Sequence, residues 1–264
     1  LDCPGIYDGD AVEDECGVCN GDGPDECGVC FGDGAEYGYD CNGDCLYDFD
    51  GDMICDVFEE TVPVVDIDEN VYETVVIGNQ LWMKENLKVT RYNNGDEIPT
   101  GYSNEEWITL TSGAYAVYDD DPTNADVYGN LYNWYTIDDD RNVCPIGWRI
   151  PGQDEQINLE NYYGGGLLKA TGTFEDGDGL WFAPNTGATN ITGFTGIPAG
   201  QRHYSNGAYT QIGSHLFIRS SLSTSEEFGS HYMVLKSDDS NIGFGNAYKT
   251  AGMPVRCIAD EVIY

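Results

Sequence analysis

Nineteen acidic residues, eight cysteines and not one Lys or Arg fall within the first sixty positions of this chain. The segment also repeats itself. Asp14-Glu15-Cys16-Gly17-Val18-Cys19-Asn20-Gly21-Asp22-Gly23 returns eleven residues later as Asp25-Glu26-Cys27-Gly28-Val29-Cys30-Phe31-Gly32-Asp33-Gly34. A run this acidic, with so few large apolar side chains, has no oily core to fold around. It either stays disordered or is held by disulfides and bound cations.

Cysteine usage bears on that choice. Cys3, Cys16, Cys19, Cys27, Cys30, Cys41, Cys45 and Cys55 lie in this head, and Cys144 and Cys257 lie far beyond it. An even, clustered set in an Asp/Gly-rich context points to disulfides and an oxidising, extracellular or cell-surface setting. The competing reading is zinc, held by the knuckles Cys16-x-x-Cys19 and Cys27-x-x-Cys30. Zinc ribbons usually separate their knuckles by more residues, and the head contains no His. Disulfides are favoured, and their connectivity stays open.

Cations are the second cross-link. Asp48-Phe-Asp50-Gly-Asp52-Met-Ile54-Cys-Asp56-Val-Phe-Glu59 places oxygen donors at positions one, three, five, nine and twelve of a loop, with the Ile54 carbonyl at seven. That is the ligand order of a twelve-residue calcium loop, because hard carboxylate oxygens suit a cation that takes six to eight ligands. The glycine expected at position six is replaced by Met53, and flanking helices are not evident. Asp8, Asp10, Asp14, Asp22, Asp33, Asp40 and Asp44 are further candidate ligands, with solvated Asp-Gly turns as the alternative. The DxDGD pattern resembles thrombospondin type 3 and related aspartate-rich calcium repeats of secreted proteins, firmly over 48–59 and more loosely over 8–45. Calcium is the cofactor expected.

The whole chain holds 47 acidic and 11 basic residues, a formal net charge of -36. Such a surface repels nucleic acid and anionic lipid, and it attracts divalent cations. Its 264 residues suit one mid-sized domain with a small appendage. No apolar stretch approaches a membrane span and no signal peptide is evident, so no membrane insertion is expected and an exported protein would be seen here in mature form or as a fragment.

Composition shifts near residue 61. The acidic repeats span 1–60, Thr61-Val-Pro-Val-Val65 reads as a linker, and 66–264 as an α+β domain with short strands, few helices and many loops. Val71, Glu73, Val75 and Ile77 alternate with Tyr72, Thr74 and Val76 as in a strand; Gly78-Asn79 predicts a turn and Gln80 to Met83 the return strand. Gln153 to Tyr162, just after Pro151, predicts a short helix. Trp82, Trp107, Trp134, Trp148 and Trp181 read first as core or groove-lining aromatics.

Several ordered blocks in this domain carry a resemblance. They are Tyr72-Glu-Thr-Val-Val-Ile-Gly-Asn-Gln-Leu-Trp-Met-Lys-Glu-Asn86-Leu87, Tyr128-Gly-Asn-Leu-Tyr-Asn-Trp134, Cys144-Pro-Ile-Gly-Trp-Arg-Ile-Pro151, Leu168-Lys-Ala-Thr-Gly172, Gly193-Phe-Thr-Gly-Ile-Pro-Ala-Gly-Gln-Arg202 and Val255-Arg-Cys257. Together they resemble the Fibrobacter succinogenes major paralogous domain over roughly residues 64 to 260. The resemblance implies a secreted or surface protein and, through Gly147-Trp-Arg-Ile-Pro151 followed by a helix, a C-type-lectin-like fold of the formylglycine-generating-enzyme branch. It also implies a disulfide between Cys144 and Cys257 that closes a long loop.

Departures limit what carries over. The Glu-Pro-Asn, Gln-Pro-Asp and Trp-Asn-Asp motifs of calcium-dependent sugar-binding lectins are absent, as is the reactive cysteine pair of formylglycine-generating enzymes. Where the family has a Trp-Ser-Ser block, this chain reads Phe217-Ile-Arg-Ser220-Ser221. His203, His215 and His231 are the only histidines, no Gly-x-Ser-x-Gly turn or Gly-rich phosphate loop is present, and acid is too abundant for paired carboxylates to signal a glycosidase. Glu175-Asp176-Gly-Asp178 could hold a second calcium or be a solvated turn, and Asn190-Ile-Thr192 fits a glycosylation sequon.

The expectation is therefore non-enzymatic. A thin head with little core is easier to order when it packs along a neighbour, and nineteen tyrosines with few lysines suit a contact surface. The first expectation is a calcium-stabilised subunit of a cell-surface assembly or filament, self-associating into a homo-oligomer. The alternative is an adhesin or lectin-like module binding polysaccharide, with Trp107, Tyr115, Tyr118, Tyr132 and Trp134 as gripping aromatics.

Overall fold

The computed structural model describes residues 62–223 and 228–260, with Cys16, Pro24, Cys27, Gly28, Val29 and Asn42 as isolated positions before them. The chain divides into two units, Leu1–Phe58 and Glu59–Tyr264. The loop from Asp48 to Glu59 and the candidate ligands Asp8, Asp10, Asp14, Asp22, Asp33, Asp40 and Asp44 lie outside the described residues. Cys16 and Cys27, which are described, are disulfide-bonded.

The second unit is α+β and dominated by short strands. In chain order these are β1 (Val64–Val65), β2 (Val71–Tyr72), β3 (Thr74–Ile77), β4 (Gln80–Met83), β5 (Tyr115–Ala116), β6 (Leu131–Tyr132), β7 (Trp148–Arg149), β8 (Ala199–Arg202), β9 (Tyr209–Ile212), β10 (His215–Ser223), β11 (Phe228–Lys236), β12 (Gly243–Tyr248) and β13 (Ile258–Ala259). The helices are α1 (Asn104–Trp107), α2 (Thr123–Tyr128), α3 (Trp134–Ile137), α4 (Gln153–Tyr162) and α5 (Gly165–Leu168).

Local rules explain the elements that the sequence made legible. Tyr72, Thr74 and Val76 are buried while Val71 and Glu73 are exposed, so alternation sets the inward face of β2 and β3. Gly78 takes a φ of +61°, and the two-residue turn pairs Val76 with Leu81 and Val75 with Trp82. Helix α4 begins where the Glu155 carboxylate reaches back 2.6 Å to the Gly152 N–H and its other oxygen meets Arg149 at 2.8 Å. The four other helices are single turns or little more. Val64 and Val65, read as linker, pair with Tyr72 and Val71 instead, because β-branched side chains suit a ribbon that Asp66 turns back on itself. Asp66 does so by accepting from the Asp68 and Asn70 N–H groups, the Asn70 amide and the Tyr72 hydroxyl, at 2.7 to 3.0 Å.

Two sheets organise the unit. One runs β3-β4-β13-β7, with the last strand of the chain seated between the first hairpin and β7. Ile258 opposes both Trp82 and Arg149 there. The other runs β12-β11-β10-β8-β9, antiparallel except where Leu216 of β10 meets Gly200 of β8 in parallel. The main core lies against the first sheet and gathers Tyr72, Met83, Leu87, Trp148 and Val255 around Cys144 and Cys257. Those two cysteines are bonded across 113 positions of sequence and fully buried.

One exposed loop joins this core to its rim through charge. Asp68 accepts from the Thr90 N–H at 2.5 Å, the Thr90 hydroxyl at 2.8 Å and Arg91 Nε at 2.6 Å. Burial works against its charge, but the Thr90 and Arg91 partners outweigh it and hold the carboxyl below the usual carboxylate range. A carboxylate with a depressed folded pKa adds stability above its unfolded value near 4, and loses it as pH falls through the folded value. Asp68→Asn is expected to cost about 1 kcal/mol at neutral pH, discounted for solvent screening. Urea midpoints of the variant and the parent should converge as pH drops below about 4; a constant gap would show that the contact is not ionic.

Candidate functional site

Each group that chemistry could use has a definite place. His203 Nδ1 lies 3.0 Å from the Ser205 hydroxyl, and His215 Nδ1 lies 2.9 Å from that of Ser214. Both serines are sequence neighbours of their histidine, and among the described residues no carboxylate is hydrogen-bonded to either ring. Burial and the Lys236 ammonium keep His215 below the usual imidazole value. The acidic turn is occupied with its own backbone: Asp178 accepts from the Thr173 N–H, Asp176 from the Thr173 hydroxyl and Glu175 from the Ala183 N–H. Among the described residues, no group of three or more His, Cys, Asp or Glu side chains is gathered as a metal site. Asn190 of the sequon spends its side chain on Thr195, and the Thr192 hydroxyl donates to the Leu167 carbonyl. A shallow hollow of about 220 Å3 lies among Val65, Asp66, Ile67, Asn93, Pro145 and Ile146, its Asp66 carboxylate already committed to the loop below it.

The five aromatics expected to grip polysaccharide are mostly structural. Trp107, Tyr118, Tyr132 and Trp134 are buried, and Tyr115 is half-buried. Their polar atoms are spent on backbone: Trp107 Nε1 donates to the Thr250 carbonyl at 2.7 Å and the Tyr132 hydroxyl to that of Val89 at 2.7 Å. Aromatic side chains bury well once such a partner is supplied, and these rings belong to the core.

Four of the eleven basic residues are also fully buried, which nothing in the residue pattern foretold. Lys169 donates to the Lys236 and Asp239 carbonyls at 2.9 and 3.0 Å and lies 5.4 Å above the Trp181 ring. Burial pushes its pKa down to about 8. Arg202 bonds the Gly207 and Tyr102 carbonyls and lies over Trp107. Arg219 bonds the Ser230 hydroxyl and the Tyr248 and Ala251 carbonyls. Arg256 bonds the Asn86 side chain and the Phe194 and Thr195 carbonyls, with its guanidinium 4.2 Å from the Phe194 ring. None of these four is hydrogen-bonded to a carboxylate among the described residues. Each is a fork or stud that fixes loop carbonyls, using planar donors and aromatic faces in place of an anion.

One face of the larger sheet holds a second, smaller core with half-buried rings over it. On one face of β10 and β11, the cross-strand pairs are His215 with Lys236, Phe217 with Val234 and Arg219 with Tyr232, of which Phe217, Val234 and Arg219 are buried. The His215 and Phe217 rings stack at 5.5 Å, and Phe217 meets Tyr232 edge to face at 5.4 Å. Gly245 opposes Tyr232, and any side chain there would collide with the Tyr232 ring, so the glycine lets that ring lie across β12. Alongside, His203 stacks on Tyr204 at 4.6 Å and Tyr204 on Tyr248 at 3.9 Å. Phe217, Val234, Ala247, Ala251 and Met253 form the floor, with Tyr204 and Tyr232 packed against it. The rings above the floor are half-buried, and strands β8 to β12 contain no Asp or Glu.

That neutrality is a property of a whole segment. Residues 1–178 hold 41 of the 47 acidic residues, whereas residues 179–259 hold four, against five Lys or Arg. Charge counted by segment would have exposed it; counted over whole units it is hidden.

The fold defines a disulfide-closed, sheet-rich α+β domain with cations buried as internal braces. The Fibrobacter succinogenes major domain model matches residues 75–259, well over half of the chain, and the chain belongs to that family. No curated protein and no solved structure matches it.

Proposed function

We propose that this is an extracellular, non-enzymatic structural protein, a calcium-stabilised subunit of a cell-surface assembly. The observation that carries the reading is the division of charge. Copies with 41 acidic residues in their first 178 positions repel one another there, and divalent cations relieve that repulsion most directly. The Asp48, Asp50, Asp52, Ile54, Asp56 and Glu59 loop is the strongest candidate for holding calcium, within repeats of thrombospondin type 3 character. A C-type-lectin-like course for the second unit is supported by β13 lying between the first hairpin and β7, with the Cys144–Cys257 bond beside it. The polysaccharide-binding alternative draws support from the half-buried rings of Tyr204, Tyr232 and Tyr248 rather than from the buried aromatics.

Calcium removal tests the reading. In millimolar calcium, sedimentation and negative-stain images should show polymers or large oligomers that EDTA returns to single chains. Asp50→Asn with Asp52→Asn should shift the calcium needed for assembly upward by tenfold or more, on the order of one lost charge-assisted ligand set. Single chains at every calcium concentration would overturn the proposal.

A further inference from the structure

We propose that β12 is a docking edge at which two copies of this chain join their sheets, antiparallel and related by a two-fold axis. This deepens the assembly reading, on which it rests, and names a contact between copies that itself needs no calcium.

The hydrogen-bond pattern fixes which backbone groups of β12 face outward. The Arg219 N–H of β10 donates to the Pro254 carbonyl, so Arg219 turns away from β11. Leu216 and Ile218 then make the ladder bonds to Leu235 and Met233. Bonding direction alternates along a strand, so Tyr232 and Val234 bond the other neighbour, through Gly245 and Gly243. Phe244 and Asn246 therefore direct their N–H and C=O groups away from the sheet. β12 is its last strand, and among the described residues no backbone partner beyond β11 is found for either. Phe244 is half-buried and Asn246 is exposed.

Such an edge is ordinarily guarded by charge, proline, a bulge or brevity. The other sheet ends here are guarded. β9, at the far end of the same sheet, carries Gln211 at a φ of +69° and Tyr209 tied to Asp120. β3 is flanked by the Glu73–Lys84 ion pair, and β7 is two residues long. β12 reads Gly243-Phe-Gly-Asn-Ala-Tyr248, six residues with no charge and no proline.

Charge names the occupant. The turn leading into β12 holds Asp238 and Asp239 against Lys236, and the residue after the strand is Lys249. Antiparallel pairing of two copies lays the acidic end of each β12 along the Lys249 end of the other, whereas parallel pairing sets like against like. Chains with a net charge of -36 repel one another broadly, so they close where the contact carries its own complement. That self-complementarity is what a two-fold contact requires, and an unrelated extended peptide would meet the N–H groups without it. A two-fold contact also closes on itself, so β12 joins pairs and the calcium-dependent contact links the pairs into longer assemblies.

Hydrogen–deuterium exchange of the full chain, as single chains in EDTA and as polymers in millimolar calcium, tests the proposal. The Phe244 and Asn246 amides should exchange freely in single chains and about tenfold more slowly, or slower still, in polymers. Asn246→Pro removes only an outward N–H and keeps the ladder to β11. Its thermal unfolding should match the parent, while the chain concentration needed for polymers rises about tenfold. Should the proline disturb the strand, Asn246→Asp, which brings two like charges to the contact, should raise that concentration as well. Polymers whose Phe244 and Asn246 amides exchange as fast as in single chains would overturn this contact and leave the assembly reading standing. No polymers at all would overturn both. Slow exchange already in single chains would mean that another segment of the same chain covers the edge, and would also overturn the contact.

Discussion

Replacing Cys144 and Cys257 together by alanine is expected to remove about 5 kcal/mol of stability, on a chain-entropy estimate for a loop of 113 positions. Few single features of this domain should matter as much, since whole domains are stable by only about 5–15 kcal/mol. The reason lies in the topology. β13 is two residues long, yet it sits between β4 and β7 and completes the four-stranded sheet. So short a strand contributes too little pairing to pull the chain end back by itself. The bond brings it there, and both cysteines are fully buried among Tyr72, Met83, Trp148 and Val255, so its loss also loosens the main core. The double variant is a cleaner test than reductant, which would also reach the cysteines of the head. Its urea unfolding midpoint should fall markedly with the slope little changed. An unchanged midpoint would mean that side-chain packing alone holds β13 in place.

The second large effect is expected at Arg256, one position before that disulfide. Its guanidinium reaches the Asn86 side chain and the carbonyls of Phe194 and Thr195, and Thr195 has a φ of +54°. Two effects oppose each other. Burial of an arginine without a hydrogen-bonded carboxylate is costly and drives its pKa down, and the nearby Glu85 offsets this only in part. Removal, however, orphans two buried acceptors and one part-buried one, at about 1–3 kcal/mol for each buried acceptor. The orphaned acceptors outweigh the relief, and Arg256→Met is expected to cost about 3–5 kcal/mol. Arg256→Lys should recover less than half of that, because one ammonium cannot span acceptors that a planar fork bridges. Thermal unfolding of both variants decides the matter: a Met variant as stable as the parent would show that desolvation, not bracing, dominates there. Arg256 and the disulfide are adjacent, so the two losses should not add.

These braces mark the limit of what the residue pattern could reveal. The alternation of Tyr72, Thr74 and Val76, the Gly78-Asn79 turn and the helix after Pro151 are local signals, and each forms where local rules put it. Lys169, Arg202 and Arg256 stand inside the very blocks that carry the family resemblance. Charge alone would place them at the surface, and only a carbonyl brought from a distant loop makes their burial tolerable. Trp107 and Tyr132 illustrate the same limit from the other side. An aromatic in a loop-rich segment reads equally as core or as ligand contact until the acceptor for its N–H or O–H is known.

The sequence by itself determined the acid-rich, cysteine-rich head, the α+β character of the domain behind it, the first hairpin, helix α4 and the family, because all of these rest on composition or on contacts between near neighbours. Tertiary structure alone decided which aromatics are core and which stay half-buried, and that four cations are buried. Those outcomes depend on residues such as Arg256 and Phe194, or Tyr204 and Tyr248, meeting across long stretches of chain. Pairings of that kind are set by the packing of the whole domain, which no local period encodes.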